Sequence, residues 1–303
     1  MRWLIAGVCG AAVLAGARAS AQDPNPSAQN LFVTVDTPTG LVTQIAPGGA
    51  QNPVATGLPV PYAMAFNNEG DLFVSEFVEG NIIEITPSGK QSLFASGLSG
   101  AWGMAFNNSG NLLVANYNGN SITEITPGGK ESTFASGVKA PAGLTFNRAG
   151  DLFVANYFYN GTVTEITPGG VKSTVASGFL APISVALNKT GDLFVGDESA
   201  RDITEIMPGG SESVFATGLD PYGMAFNGAG DLFVADPSDN DIIEIAPNGR
   251  QSVFASGLES PLGVALQPEV GVQGVQPVPE PMVLGLLALG TAALAVCRRR
   301  LRS

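Results

Sequence analysis

Eight aromatic and six short polar side chains carry most of the chemistry this sequence can offer. Tyr62, Trp102 and Tyr222 precede short apolar stretches, and Phe77, Tyr117, Tyr157, Phe158 and Tyr159 follow a recurring Leu-Phe-Val. Asp36, Glu76, Asn116, Asn156, Asp197 and Asp236 stand just after the same phrase. Tyrosine and tryptophan offer flat apolar area with a polar edge, which suits sugars, peptides and glycan chains. Carboxylates and amides converging on an axis would suit Ca²⁺. Short polar side chains at such positions also cap turns, so both readings stand open. The chain has 303 residues and no histidine. That excludes Ser-His-Asp triads, Cys-His dyads, His-ligated zinc and His acid–base steps. A net charge of −12 argues against nucleic acid as a partner.

The elements that position these residues follow from an internal repeat. Leu-Phe-Val or Leu-Leu-Val begins at Leu31, Leu72, Leu112, Leu152, Leu193 and Leu232, at spacings of 41, 40, 40, 41 and 39 residues. A second phrase recurs six times, from Tyr62-Ala-Met-Ala-Phe to Leu262-Gly-Val-Ala-Leu. Each unit reads as four strands, a to d. In one copy these are Trp102–Phe106, Leu112–Ala115, Ile122–Thr126 and Ser132–Ala135, separated by Asn-x-x-Gly, a longer loop and Pro-Gly-Gly. Six such units of roughly 40 residues mean an all-β, six-bladed propeller. The chain begins at a strand b (Leu31–Val33) and ends on a lone strand a (Leu262–Leu266). Pairing the two closes the ring and removes the open edge.

Strand direction places the a–b and c–d turns on one face and the b–c and d–a connections on the other. The first set is short and repetitive; the second varies from blade to blade, as binding loops on a rigid scaffold do. All five tyrosines fall on the variable face. The strand-c glutamates Glu84, Glu124, Glu165, Glu205 and Glu244 are too regular to be catalytic and read as solvated or ladder-forming.

Both ends read as addresses. Residues 1–21 have a short n-region, an apolar run and an Ala-x-Ala cleavage option, the pattern of a secretory signal peptide. A linker (22–29), the propeller (30–268) and a second linker (269–277) follow. Residues 278–303 combine Pro279-Glu280-Pro281, an apolar run from Met282 to Cys297 and the basic tail of Arg298, Arg299, Arg300 and Arg302. As a helix the apolar run would reach about 24 Å, short of a ~30 Å hydrocarbon core. Its arginines should stay cytoplasmic. Removing both ends takes away Cys9 and Cys297 and leaves a cysteine-free domain of charge about −17, which cannot use disulfides.

The C-terminal segment resembles the PEP-CTERM sorting signal of Gram-negative bacteria. The resemblance implies export across the inner membrane, an exosortase-type sorting enzyme as a partner, and a cell-envelope, cell-surface or matrix location with extracellular polysaccharide or protein nearby. The repeats themselves resemble NHL-type propellers, the gluconolactonase-like (senescence-marker) superfamily and streptogramin lyases. The phrases that carry this are Pro-x-Gly before strand a, Asn-x-x-Gly-Asp-Leu-Phe-Val-Ala-Asn, and Ile-Thr-Glu-Ile-Thr-Pro-Gly-Gly. The gluconolactonase-like enzymes hold a divalent cation with residues partly placed just before strand a. Here those places hold Tyr62, Trp102, Ala142, Ile183, Tyr222 and Leu262, none of them a ligand. The lyases use a histidine that this chain lacks. The expectation is therefore a non-enzymatic binding propeller without a cofactor; the alternative is a Ca²⁺-dependent lactonase, hydrolase or lyase using the ring carboxylates.

Overall fold

A computed structural model describes residues 29–268. The leader, most of the first linker, the second linker and the sorting segment with Pro279, Glu280, Pro281, Arg298, Arg299 and Arg300 lie outside the described residues. These contain 24 strands in six four-stranded antiparallel sheets, and no helix among them is long and apolar enough to cross a membrane.

Each sheet is a blade whose burial falls from the inside outwards. Strand b is buried along its length in five of the six blades, as at Leu72–Glu76 and Leu112–Asn116. Strand d is exposed except near its end, as at Glu131–Ser136. Leu-Phe-Val packs on both faces because each blade lies between two others. Six apolar clusters fill the interfaces between neighbouring blades.

Blade 1 consists of Leu31–Val35, Leu41–Ile45 and Gln51–Thr56 with Pro261–Leu266 from the other end of the chain. Leu31 pairs with Leu266, and Val33 with Val264. Asn30 Nδ2 extends this seam by donating to Gln267 Oε1 at 2.9 Å. The closure read from the repeat is thus the one observed, with strand ends moved outward by one to three residues.

The two faces are held differently. In each a–b turn the leading asparagine accepts backbone amides. Asn227 Oδ1 takes Ala229 N at 2.9 Å and Asp231 N at 2.8 Å, while its Nδ2 donates to Asp231 Oδ2 at 2.9 Å. Asn67 and Asn188 repeat this set. On the other face, the residue before strand c takes a left-handed conformation in every blade: Gly40, Gly80, Asn120, Asn160, Arg201 and Asn240. Asparagine tolerates that conformation because its short side chain bonds locally. The side chains of Asn120 and Asn240 also reach the d–a connection, accepting Ala140 N and Ser260 N.

Candidate functional site

The variable face is built around Trp102. Its ring lies 4.7 Å from Tyr62, 4.9 Å from Tyr117, 5.4 Å from Phe77 and 5.5 Å from Tyr157. These five half-buried rings come from blades 2, 3 and 4 and form one contiguous surface. Tyr222 stands apart on blade 6. Tyr159 is 83% exposed at a loop tip, outside the ring contacts of the cluster. Phe158 lies beneath Lys139, whose Nζ is 3.8 Å from the ring centre.

Hydroxyl groups set the backbone under these aromatics. Thr34 Oγ1 accepts Gly263 N at 2.6 Å and donates to the carbonyl of Tyr62 at 2.9 Å. Ser75 Oγ accepts Ala63 N at 3.0 Å and donates to the carbonyl of Trp102 at 2.8 Å. Ser184 Oγ donates to the carbonyl of Pro221, next to Tyr222, at 2.5 Å. An added Cβ at Gly196 would lie 2.4 Å from that hydroxyl, so the missing side chain makes its room.

Glu198 joins the two sides of the rim. One carboxylate oxygen accepts the Tyr157 hydroxyl, and the other accepts the Tyr222 hydroxyl at 3.1 Å. Burial raises the pKa of both tyrosines, and Glu198 adds to the effect. Tyr62 is also raised, by burial and then by the charge of Asp36. All three therefore stay neutral at physiological pH, and Tyr157 and Tyr222 donate to Glu198. Sequence reasoning passed over Glu198. The signal was available in its register: it occupies the same place in blade 5 as Phe77, Tyr117 and Tyr157 do in theirs.

The same register corrects the polar ring. Glu76 pairs with Asn81 and Asp197 with Asp202, but the residue so paired in blade 1 is Val35, with Leu41. Asp36 is exposed and one place further on, level with Phe77 and Glu198. It belongs to the rim rather than to the ring. The other five ring members are at most 4% exposed. Glu76 accepts Asn81 Nδ2 at 2.9 Å. Asn116 donates to Ser121 and Thr123, and Asn156 to Thr162 and Thr164. Asp197 accepts the amides of Leu180 at 2.6 Å, Ala181 at 2.9 Å and Ala200 at 3.0 Å. Asn116 Oδ1, Asn156 Oδ1 and both carboxylate oxygens of Asp236 are buried without a hydrogen-bond partner. Among the described residues no group of three or more carboxylate or cysteine side chains is placed to hold a metal ion.

Below the rim the axis is narrow. A channel of about 90 Å³ runs between the innermost strands. A Cβ on Gly103 would lie 2.1 Å from the carbonyl of Ala142, and one on Gly223 2.5 Å from that of Leu262. The strands touch backbone to backbone there, which leaves room for a few waters at most. A ligand on this face must therefore be read at the mouth. A larger cavity, about 780 Å³, opens on the opposite face. Size alone would favour it, but it lacks the convergence of aromatic rings and hydroxyl donors seen at the rim.

No protein-family model matches the sequence, and no curated protein is similar to it. Solved structures resemble its fold. A structure from a nidogen/laminin complex superposes with a TM-score of 0.72 at 15% identity, covering 79% of this chain and 98% of that one. A catalytically inactive virginiamycin B lyase from Staphylococcus aureus with quinupristin gives 0.59 at 18%, covering 81% and 94%. A putative gluconolactonase gives 0.59 at 14%, covering 66% and 79%. The chain shares the six-bladed propeller of the nidogen-type, streptogramin-lyase and gluconolactonase-like structures. At these identities the likeness is one of fold.

Proposed function

We propose that this protein is an exported, non-enzymatic binding propeller whose variable face takes an extracellular glycan. The observation that carries this reading is the ring cluster about Trp102, continued by two neutral tyrosine hydroxyls on Glu198. A sugar presents an apolar ring face and equatorial hydroxyls; aromatic platforms beside fixed donors and acceptors match both. The absence of histidine from the chain supports binding over the acid–base chemistry of fold neighbours that are lyases. Export and sorting rest on the two terminal segments, whose sequence patterns support delivery to the cell envelope.

A glycan array probed with the protein tests this reading. Binding that falls at least about tenfold in Trp102→Ala and Tyr117→Ala, the scale of one lost aromatic contact, supports it. Selective binding of peptides or proteins instead would move the ligand to another class. The hydrolase reading is tested by calorimetry with Ca²⁺ and by lactone hydrolysis. Tight Ca²⁺ binding, with turnover abolished in Asp197→Ala or Glu76→Ala, would overturn the non-enzymatic reading.

A further inference from the structure

The cavity of about 780 Å³ on the a–b face includes the blade interface that departs furthest from the repeat: Val54, Leu113 and Leu266 each replace one ring at another interface, whereas here two are replaced. Each interface is filled near this face by three side chains: one from strand b, one from strand d, and the last residue of strand a in the next blade. Between blades 2 and 3 all three are phenylalanines, with Phe73 at 4.8 Å from Phe94 and 5.1 Å from Phe106. Between blades 5 and 6 the same trio is Phe194, Phe215 and Phe226. Between blades 4 and 5 it is Phe153, Val175 and Leu187, and all three line the cavity. Phe153 is only half-buried there, whereas Phe73 and Phe194 are 3% and 2% exposed. Replacing two rings by smaller aliphatic groups leaves volume that packing elsewhere fills.

A second departure coincides with the first. The second position of the a–b turn holds Asn68, Asn108 and Gly228 in three blades, but Arg148 and Lys189 in blades 4 and 5. Both bases line the same cavity. They stand out in a chain with 26 acids and 14 bases. Lys189 donates to the carbonyl of Gly228, which leaves two of its three ammonium hydrogens free to bond. The one acid in the lining, Glu165, accepts Ser173 Oγ at 3.1 Å.

We propose that this cavity is a binding site for an amphipathic organic anion. The compact apolar body of the ligand lies against Phe153, Val175 and Leu187, and its acid group meets Arg148 and Lys189. The volume falls within the ~300–1,000 Å³ usual for small-molecule sites. The site is independent of the aromatic rim, which opens on the other face.

Anilinonaphthalene sulfonate, an aromatic anion, and the uncharged phenylnaphthylamine serve as probes by fluorescence titration of the protein. The sulfonate should bind saturably at one site. Val175→Phe with Leu187→Phe restores the missing rings, and should cut that binding at least about tenfold while keeping or raising Tm. Arg148→Ala with Lys189→Ala, both exposed changes, should weaken the sulfonate by about threefold per base and leave the uncharged probe unaffected. Unchanged sulfonate binding in the ring-restored protein would overturn the site. Equal affinity of the base-deleted and native proteins for the sulfonate would overturn its preference for anions.

Discussion

The two faces of the propeller are made from the same 40-residue unit and have diverged to different degrees. On the a–b face, Asn67, Asn188 and Asn227 make the same set of hydrogen bonds in three different blades. On the b–c face, Phe77, Tyr117, Tyr157 and Glu198 share one register position and one backbone bond, from their amides to the carbonyls of Val60, Gly100, Ala140 and Ala181, but differ in side chain. A position that repeats in both residue and bonding answers to the fold, because every blade must make the same turn. A position that keeps its place but changes its residue is free of that demand and can answer to a ligand. Asp197 shows that a face does not decide this alone, since it lies among the variable loops and still serves the backbone.

The largest effect should come from that residue. Asp197→Ala leaves three amides, one buried and two part-buried, without an acceptor and should cost about 3 kcal/mol. Urea denaturation measures it, and a loss under about 1 kcal/mol would place the residue with the ligand-facing set instead. Next comes Asn227→Ala, which removes two accepted amides and one donated bond and should cost about 1–2 kcal/mol. Asn188→Ala should cost a similar amount, because it makes the same three bonds beside one more from the Thr190 hydroxyl. Neither should alter glycan affinity. Unequal costs at these two asparagines would break the rule that repetition marks a structural duty.

The propeller was legible in the sequence because six copies report one pattern, and local errors in one blade are corrected by the others. Closure was legible because the missing strand a at one end is the spare strand a at the other. The rim was legible only in part. Tyr62, Trp102, Tyr117 and Tyr157 announced themselves by residue type, whereas Glu198 resembles any loop glutamate until its register is compared across blades. Asp36 was placed with the ring because it is the first acid after the phrase in blade 1, although Val35 holds the fifth place from Leu31 that Glu76 holds from Leu72; strand pairing shows the same offset. Thr34, Ser75 and Ser184 sit among apolar strand residues, and their cross-blade bonds depend on the approach of a neighbouring blade. The cavity was hidden for the same reason: Val175 and Leu187 are ordinary strand residues, and only their meeting beside Phe153 opens the gap.

The smallest effect sharpens the contrast within the ring itself. Asp236 holds the register position of Asp197 and is fully buried, yet neither of its oxygens makes a hydrogen bond of normal geometry. Burial holds its carboxyl above the usual carboxylate range, while the nearby amides of Asp220 and Asp239 pull the other way. A carboxyl raised in the folded state binds its proton more tightly there than in the unfolded chain. Its contribution to stability is therefore full below the unfolded pKa and is lost as the pH rises through the folded one. Asp236→Asn carries no charge to desolvate, and Asn is the residue this chain already uses at Asn116 and Asn156. The substitution should raise Tm at neutral pH, and the gain should vanish in acid, where the native carboxyl is protonated. Asp197→Asn should do the reverse at neutral pH, because it weakens an acceptor that three amides use. Thermal unfolding of both variants at neutral and acidic pH makes the comparison. Equal destabilisation at neutral pH would mean that the amides of Asp220 and Asp239 bind Asp236 as firmly as their counterparts bind Asp197, and that the two blades share one cap.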